Sequence, residues 1–206
     1  MTRDRGRPRT FDIDTALDSA LVVFWRHGFL DASLNELTAS MGLSKPSLYA
    51  AFGDKASLYL QALRRYIDLR IAPHVQLLMS EPGGYQAIEG FLKSVATMLA
   101  DPALPGGCFI VTGSIDCGRH KLPQDVELSL HAALQGTAIK LKERLTRAQQ
   151  EGDLPANTAI DELADFFSAL LSGLAVQAKA GASASKLHQV IDNAMRAWPK
   201  GGNKGP

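Results

Sequence analysis

With 206 residues, 46% of them hydrophobic and 21% charged, the chain has the make-up of an ordinary globular protein, long enough to bury a core in one domain or in a small one and a larger one. No apolar run approaches the roughly eighteen residues of a membrane span, and the polar, arginine-rich first ten residues lack the apolar centre of a signal peptide, so a cytoplasmic protein is expected. The net charge of +1 describes no uniformly basic surface, and two cysteines, Cys108 and Cys117, fit neither a disulfide framework in a reducing compartment nor a common zinc spacing.

Residues 1–10 (MTRDRGRPRT) carry no apolar periodicity and read as a disordered basic arm. Within it, Arg5-Gly6-Arg7-Pro8 has the form of an AT-hook core, two arginines on a flat backbone suited to a narrow minor groove. A solvated tail that touches phosphates fits the same residues. From Asp12 to His27, Ile13, Ala16, Leu17, Ala20, Leu21, Val23 and Phe24 trace a helical stripe. Asp12, Asp14 and Asp18 fall in its first turns, where they complement the helix dipole. Residues 1–57 hold seven basic side chains (Arg3, Arg5, Arg7, Arg9, Arg26, Lys45, Lys55) and seven acidic ones (Asp4, Asp12, Asp14, Asp18, Asp31, Glu36, Asp54). Any nucleic-acid binding by this segment therefore rests on the arm and a few contacts, with a moderate salt dependence.

Ser33 to Lys55 (SLNELTASMGLSKPSLYAAFGDK) is the most informative stretch. Ser33 with Glu36 three residues on forms a capping box, so a helix starts at Leu34; Leu37 and Met41 continue its period, and Gly42 is placed for positive φ at its end. Ser44 caps a second short helix from about Lys45 to Phe52, with Pro46 in the first turn where its missing N–H costs nothing. Leu48 and Phe52 face inward, leaving Ser44, Lys45, Ser47 and Tyr49 outside. Gly53 ends this helix and Asp54 caps the next. Two short helices across a glycine turn spell a helix-turn-helix, whose second member enters the major groove; an ordinary αα-hairpin has the same spacing. The hydroxyls, the lysine and the tyrosine left outside suit phosphate oxygens and base edges better than a core.

In these residues the chain resembles the TetR/AcrR-type bacterial transcriptional repressors. The match rests on Phe24, Gly28-Phe29, Ser33-Leu34, Leu37, Met41-Gly42, Ser44, Leu48-Tyr49, Phe52, Lys55 and Leu58 at fixed spacing over about fifty residues, the first quarter of the chain. The resemblance implies that Ser33, Ser44, Tyr49 and Lys55 lie against the DNA backbone and that Lys45 to Ser47 face bases. Many relatives carry glycine then threonine in place of Pro46-Ser47, and a histidine or second aromatic in place of Ala51. The implied fold is all-α with about nine helices: a three-helix DNA-binding domain over residues 11–57, then a helical ligand-binding and dimerisation domain over 58–199, with 200–206 as a frayed tail.

Beyond the head, a helix from Asp54 to about Met79 carries Leu58, Leu60, Leu63, Tyr66, Ile67 and Ile71, and Pro73 should kink or divide it. Another spans about Tyr85 to Ala100. The segment Cys108 to Ile115 could be a strand by period alone, but its helical surroundings and the resemblance favour a buried helix. Long helices follow over Pro123 to Gly152 and Thr158 to about Ala180, and a last one ends by Trp198-Pro199. The helices at about 158–180 and 186–198 are too apolar for one bundle edge, which predicts a homodimer interface there; lining a monomer core is the other use of the same residues.

A two-fold dimer sets two reading helices roughly 34 Å apart, the spacing of a palindromic operator on double-stranded DNA. The larger half then serves to bind a small, apolar effector that releases the operator. Phe91, Met98, Cys108, Phe109, His131 and Phe167 supply apolar bulk and a polar handle for such a pocket, though aromatics at helical spacing also simply fill cores. Gly107-Cys108-Phe109 resembles a glycine-cysteine signature of the repressors in this family that sense electrophiles or oxidants, which makes a thiol sensor at Cys108 the alternative. Nine residues separate Cys108 from Cys117, opposite faces of any continuous helix. The chain has no nucleophile elbow, phosphate-cradling loop or HExxH, so no enzyme, cofactor or metal is expected; Cys117-Gly118-Arg119-His120 is too isolated for a metal site.

Overall fold

The structure is a computed structural model that describes residues 11–118 and 121–199; the basic arm with Arg5 and Arg7, the Arg119-His120 pair and the 200–206 tail lie outside the described residues. Those residues are all-helical, with no strand.

Helix α1 (Ile13–Asp31) begins where the Asp12 carboxylate accepts the Asp14 N–H at 3.0 Å, and its helical backbone is interrupted at Gly28 (φ 73°, ψ −173°), one residue past the expected end. Asp14 and Asp18 do more than complement a dipole. Arg65 reaches across to both, forking onto Asp18 (2.5 and 2.8 Å) and touching Asp14 at 2.8 Å. Helices α2 (Leu34–Met41) and α3 (Lys45–Phe52) follow, then α4 (Lys55–Tyr66), which crosses the expected domain boundary at 57/58 without a break.

Pro73 acts earlier than expected. Having no N–H for the carbonyl four residues back, it is preceded by a π-helical turn over Ile67–Ile71, in which the Ala72 N–H reaches five residues back to Ile67 O. Helix α5 (Ala72–Ser80) then resumes the direction. Next come α6 (Gly84–Leu99), α7 (Phe109–Ser114), α8 (Gln124–Glu151), α9 (Ile160–Lys179) and α10 (Ala184–Ala194). With α4, the π turn and α5 taken as one rod, the described residues hold the nine expected helices. The 108–115 segment is helical and Phe109, Ile110 and Gly113 within it are buried, because it sits between α1 and α8, where no sheet exists to extend.

Head and body share one core. Phe109 of α7 lies against Tyr59 (5.1 Å between ring centres) and Tyr66 (5.4 Å) of α4, and these two in turn meet Phe24, Phe29 and Trp25 of α1 edge-on at 4.8–5.4 Å. Edge-to-face and offset pairs at these distances add to the burial of large rings. At the far end, Lys179 of α9 donates to the carbonyls of Trp25 (3.3 Å) and Arg26 (3.5 Å), just before the Gly28 break. Arg144, fully buried on α8, holds the α5–α6 turn through two hydrogen bonds to the Glu81 and Pro82 carbonyls, each 3.0 Å.

Helices α9 and α10 divide the apolar surface expected of them. α10 buries Leu187 and Ile191, packs on α6, and turns Lys186, Gln189 and Asn193 outward. α9 buries Ala164, Phe167, Leu171 and Leu174 but leaves Phe166, Ala169, Gly173 and Val176 exposed in one stripe, Val176 at 55%.

Candidate nucleic-acid interface and internal cavity

Each end of the hairpin is held by a local bond. Ser33 Oγ accepts the Glu36 N–H at 3.1 Å, but the reciprocal half of the expected capping box is replaced: the Glu36 carboxylate goes to His27 Nε2 at 3.0 Å. α2 closes at Gly42 (φ 64°), with the Leu43 N–H donating back to Thr38 O at 2.9 Å. Ser44 Oγ accepts the Ser47 N–H at 3.3 Å and shares a 2.9 Å hydrogen bond with the Ser47 hydroxyl. The turn thereby fixes where α3 begins.

From that start, Leu48 and Phe52 are buried against the head's core, while Ser44 and Lys45 are exposed, Ser47 is half-buried and Tyr49 keeps 47% of its surface. The tyrosine ring is therefore not sealed inside. Lys55 opens α4 and turns to α1; its Nζ sits 4.7 Å over the Phe29 ring and donates to Leu30 O at 3.4 Å. Burial lowers the pKa of this ammonium, against a weaker pull from Asp31. The start of α3 thus carries hydroxyls, a phenol and the Lys45 ammonium, at the N-terminus of a short helix whose dipole also favours phosphate.

The body contains a small internal cavity of about 60 Å³ among α6, α7, α8 and α9. Phe91, Met98 and Cys108 line it, together with Thr137 and the hydroxyl-bearing Ser168 and Ser172. Through Ile71, Ile110, Ala133 and Thr137 it adjoins an open groove of about 1030 Å³ between the α4–α5 rod and α8, into which the π turn presents Ile67 and Ile71. The groove is of a size that suits a drug-like molecule, whereas the inner cavity holds about two waters' worth of space. Nothing in the linear pattern marked Ile71 or Thr137 as lining residues; Ser168 and Ser172 within the apolar middle of α9 were the available signal.

The other three residues expected at a pocket lie elsewhere. Phe109 belongs to the aromatic joint between head and body, Phe167 is fully buried with its ring 5.2 Å from that of Phe166, and His131 is exposed on α8 beside Cys117 and Glu127. Cys108 precedes α7 in extended backbone and accepts a hydrogen bond from the Tyr66 hydroxyl at 3.4 Å. Burial pushes its thiol pKa up, outweighing that bond, so the reactive thiolate is disfavoured.

Comparison with known proteins agrees with this geometry. Residues 16–62 match the family described as bacterial regulatory proteins, tetR family, and residues 84–194 match the tetracyclin repressor-like C-terminal domain. The chain is 34% identical over 203 residues to the HTH-type transcriptional repressor ComR of Escherichia coli strain K12, covering 96% of this chain and 94% of ComR. It is 28% identical to the repressor BdcR of the same organism, across 90% of this chain and 88% of BdcR. A solved complex of a cysteine mutant of the TetR family regulator CifR with 26-base-pair double-strand operator DNA superposes with a TM-score of 0.89 at 36% identity, covering 94% of this chain and all of that one. By head, body and arrangement, the chain belongs to the TetR family of transcriptional regulators.

Proposed function

We propose that this regulator is a cytoplasmic, non-enzymatic repressor that binds a palindromic operator as a homodimer and lets go when a small apolar molecule enters its body. The observation that carries the reading is the composition of the α3 face: Leu48 and Phe52 anchor the helix, and Ser44, Lys45, Ser47 and Tyr49, left outward around its start, carry groups that can bond to DNA. Residues 11–57 act as the reading head, with Ser33, Ser44, Tyr49 and Lys55 on phosphates and Lys45 to Ser47 toward bases. Arg5 and Arg7, in the arm ahead of α1, add contacts in the minor groove. Residues 58–199 receive the effector and the partner subunit.

Support for dimerisation comes from the exposed stripe of α9, where Ala169 and Gly173 between Phe166 and Val176 let a second helix approach closely. The effector reading rests on the apolar cavity bounded by Phe91, Met98 and Cys108 and on the groove beside it. A ligand that fills this space favours a conformation in which α7 and the α4–α5 rod stand apart, and α4 carries that displacement to the head. The Cys108 thiol, whose thiolate burial disfavours, serves as part of the wall. A gel-shift of the protein on its own upstream region tests the core of the proposal. A specific complex that Tyr49→Ala weakens is the expected result; no complex at low ionic strength overturns it.

A further inference from the structure

Away from the reading head and the cavity, the geometry points to a metal site on the surface of the body: Cys117, Glu127 and His131 form a three-donor site for a zinc-type divalent cation. Their sulfur, carboxylate oxygen and ring nitrogen all lie within 4.8 Å of one another. The donors converge from two elements. Glu127 and His131 stand one turn apart on α8 and so share a face. Cys117 arrives from the connection that follows α7, where Gly118 adopts φ 77° and its N–H donates to Glu127 Oε1 at 2.7 Å. That bond orients the carboxylate.

A tetrahedral cation held by sulfur, nitrogen and oxygen needs donor separations of about 3.3–3.6 Å, from metal–ligand lengths near 2.0–2.3 Å. The three groups must therefore close by about 1 Å, which side-chain rotation of the exposed His131 and half-buried Cys117 can supply. Thiolate with imidazole selects against magnesium and calcium, which take oxygen ligands, and in favour of zinc and its neighbours. Three protein donors leave one position for solvent or an exchangeable ligand. Cys117 follows Asp116, whose carboxylate lies against Gly28 of α1, 3.3 Å from where a Cβ there would stand. A bound cation thus adds a second tie, beside the Gly118–Glu127 bond, between α8 and a connection that passes Gly28 of α1.

Cobalt(II) titration of the reduced, chelator-treated full chain tests the site. One cobalt per chain with a thiolate-to-cobalt charge-transfer band, displaced by zinc, is expected. Cys117→Ser should abolish the band, Glu127→Gln and His131→Gln should each weaken binding roughly ten-fold or more, and Cys108→Ser should leave it intact. Far-ultraviolet dichroism of each variant establishes that it is folded. No band in the native chain, a band that survives Cys117→Ser, or one that disappears with Cys108→Ser overturns the site. The readout needs no DNA, so a protein that forms the band yet ignores its operator would fault the repressor reading alone.

Discussion

Phe109 separates two accounts of the body, because as a pocket residue it would be dispensable for stability, whereas in the structure it is the ring through which α7 holds the head. It is 1% exposed and touches both Tyr59 and Tyr66. Phe109→Ala removes the transfer energy of a buried phenyl and leaves a void among aromatic rings that have little freedom to collapse, a cost of about 3–5 kcal/mol. For a chain of this size each kcal/mol moves the thermal midpoint by about 2–4 °C, so Tm should fall by roughly 6–20 °C in a dichroism melt at fixed protein concentration. The paired change Phe109→Leu with Tyr66→Leu should show a coupling of about 0.5–1.5 kcal/mol in a double-mutant cycle. A Tm drop below about 3 °C for the alanine variant, accompanied by a change in effector affinity, would refute the joint and restore the pocket reading.

Arg65→Ala removes a forked ion pair from Asp18 and a second contact from Asp14 at a partly shielded position, and should lower stability by about 1 kcal/mol in urea unfolding, less at high salt. His74, half-buried and hydrogen-bonded to Ser94 at 2.9 Å, has its pKa lowered by burial from 6.5. The unfolded chain therefore binds more protons, so stability should fall as pH drops through about 6.5 and below, and His74→Gln should flatten the slope of urea midpoint against pH between 7.5 and 5.5. Tyr49→Ala, at an exposed site, should weaken operator binding about ten-fold with Tm unchanged. Lys45→Ala should reduce the slope of log affinity against log salt by about 1 if that ammonium meets a phosphate, and should instead alter operator preference if it meets a base.

The head was legible because its signals are local. Ser33, Ser44 and Asp54 each bond the N–H three residues ahead, and Gly42 takes the positive φ that its place after Met41 demands, all within one turn of the chain. Where a side chain had a choice between near and distant partners, the distant one could win: Glu36 left its cap for His27, and Asp14 and Asp18 were taken by Arg65, about fifty residues away. The body was legible only as periodicity. Phe91 and Phe109 have the same character in sequence, yet one lines a cavity and the other fills a joint, a difference decided by which helices the fold lays beside them. Likewise Glu127 and His131 stand at an ordinary four-residue interval on a helix, and only the path of the chain through Gly118 brings Cys117 to them.

Lys179 gives α9 a second duty. The helix whose outer stripe would meet a partner subunit ends in an ammonium that grips the carbonyls of α1 just where that helix bends. In a pair assembled on this stripe, each reader is bolted directly to the subunit seam, with no slack linker between them. The span between the two readers is then a property of how the seams mesh, and a slight skew at Gly173 arrives at the operator as a change of reach.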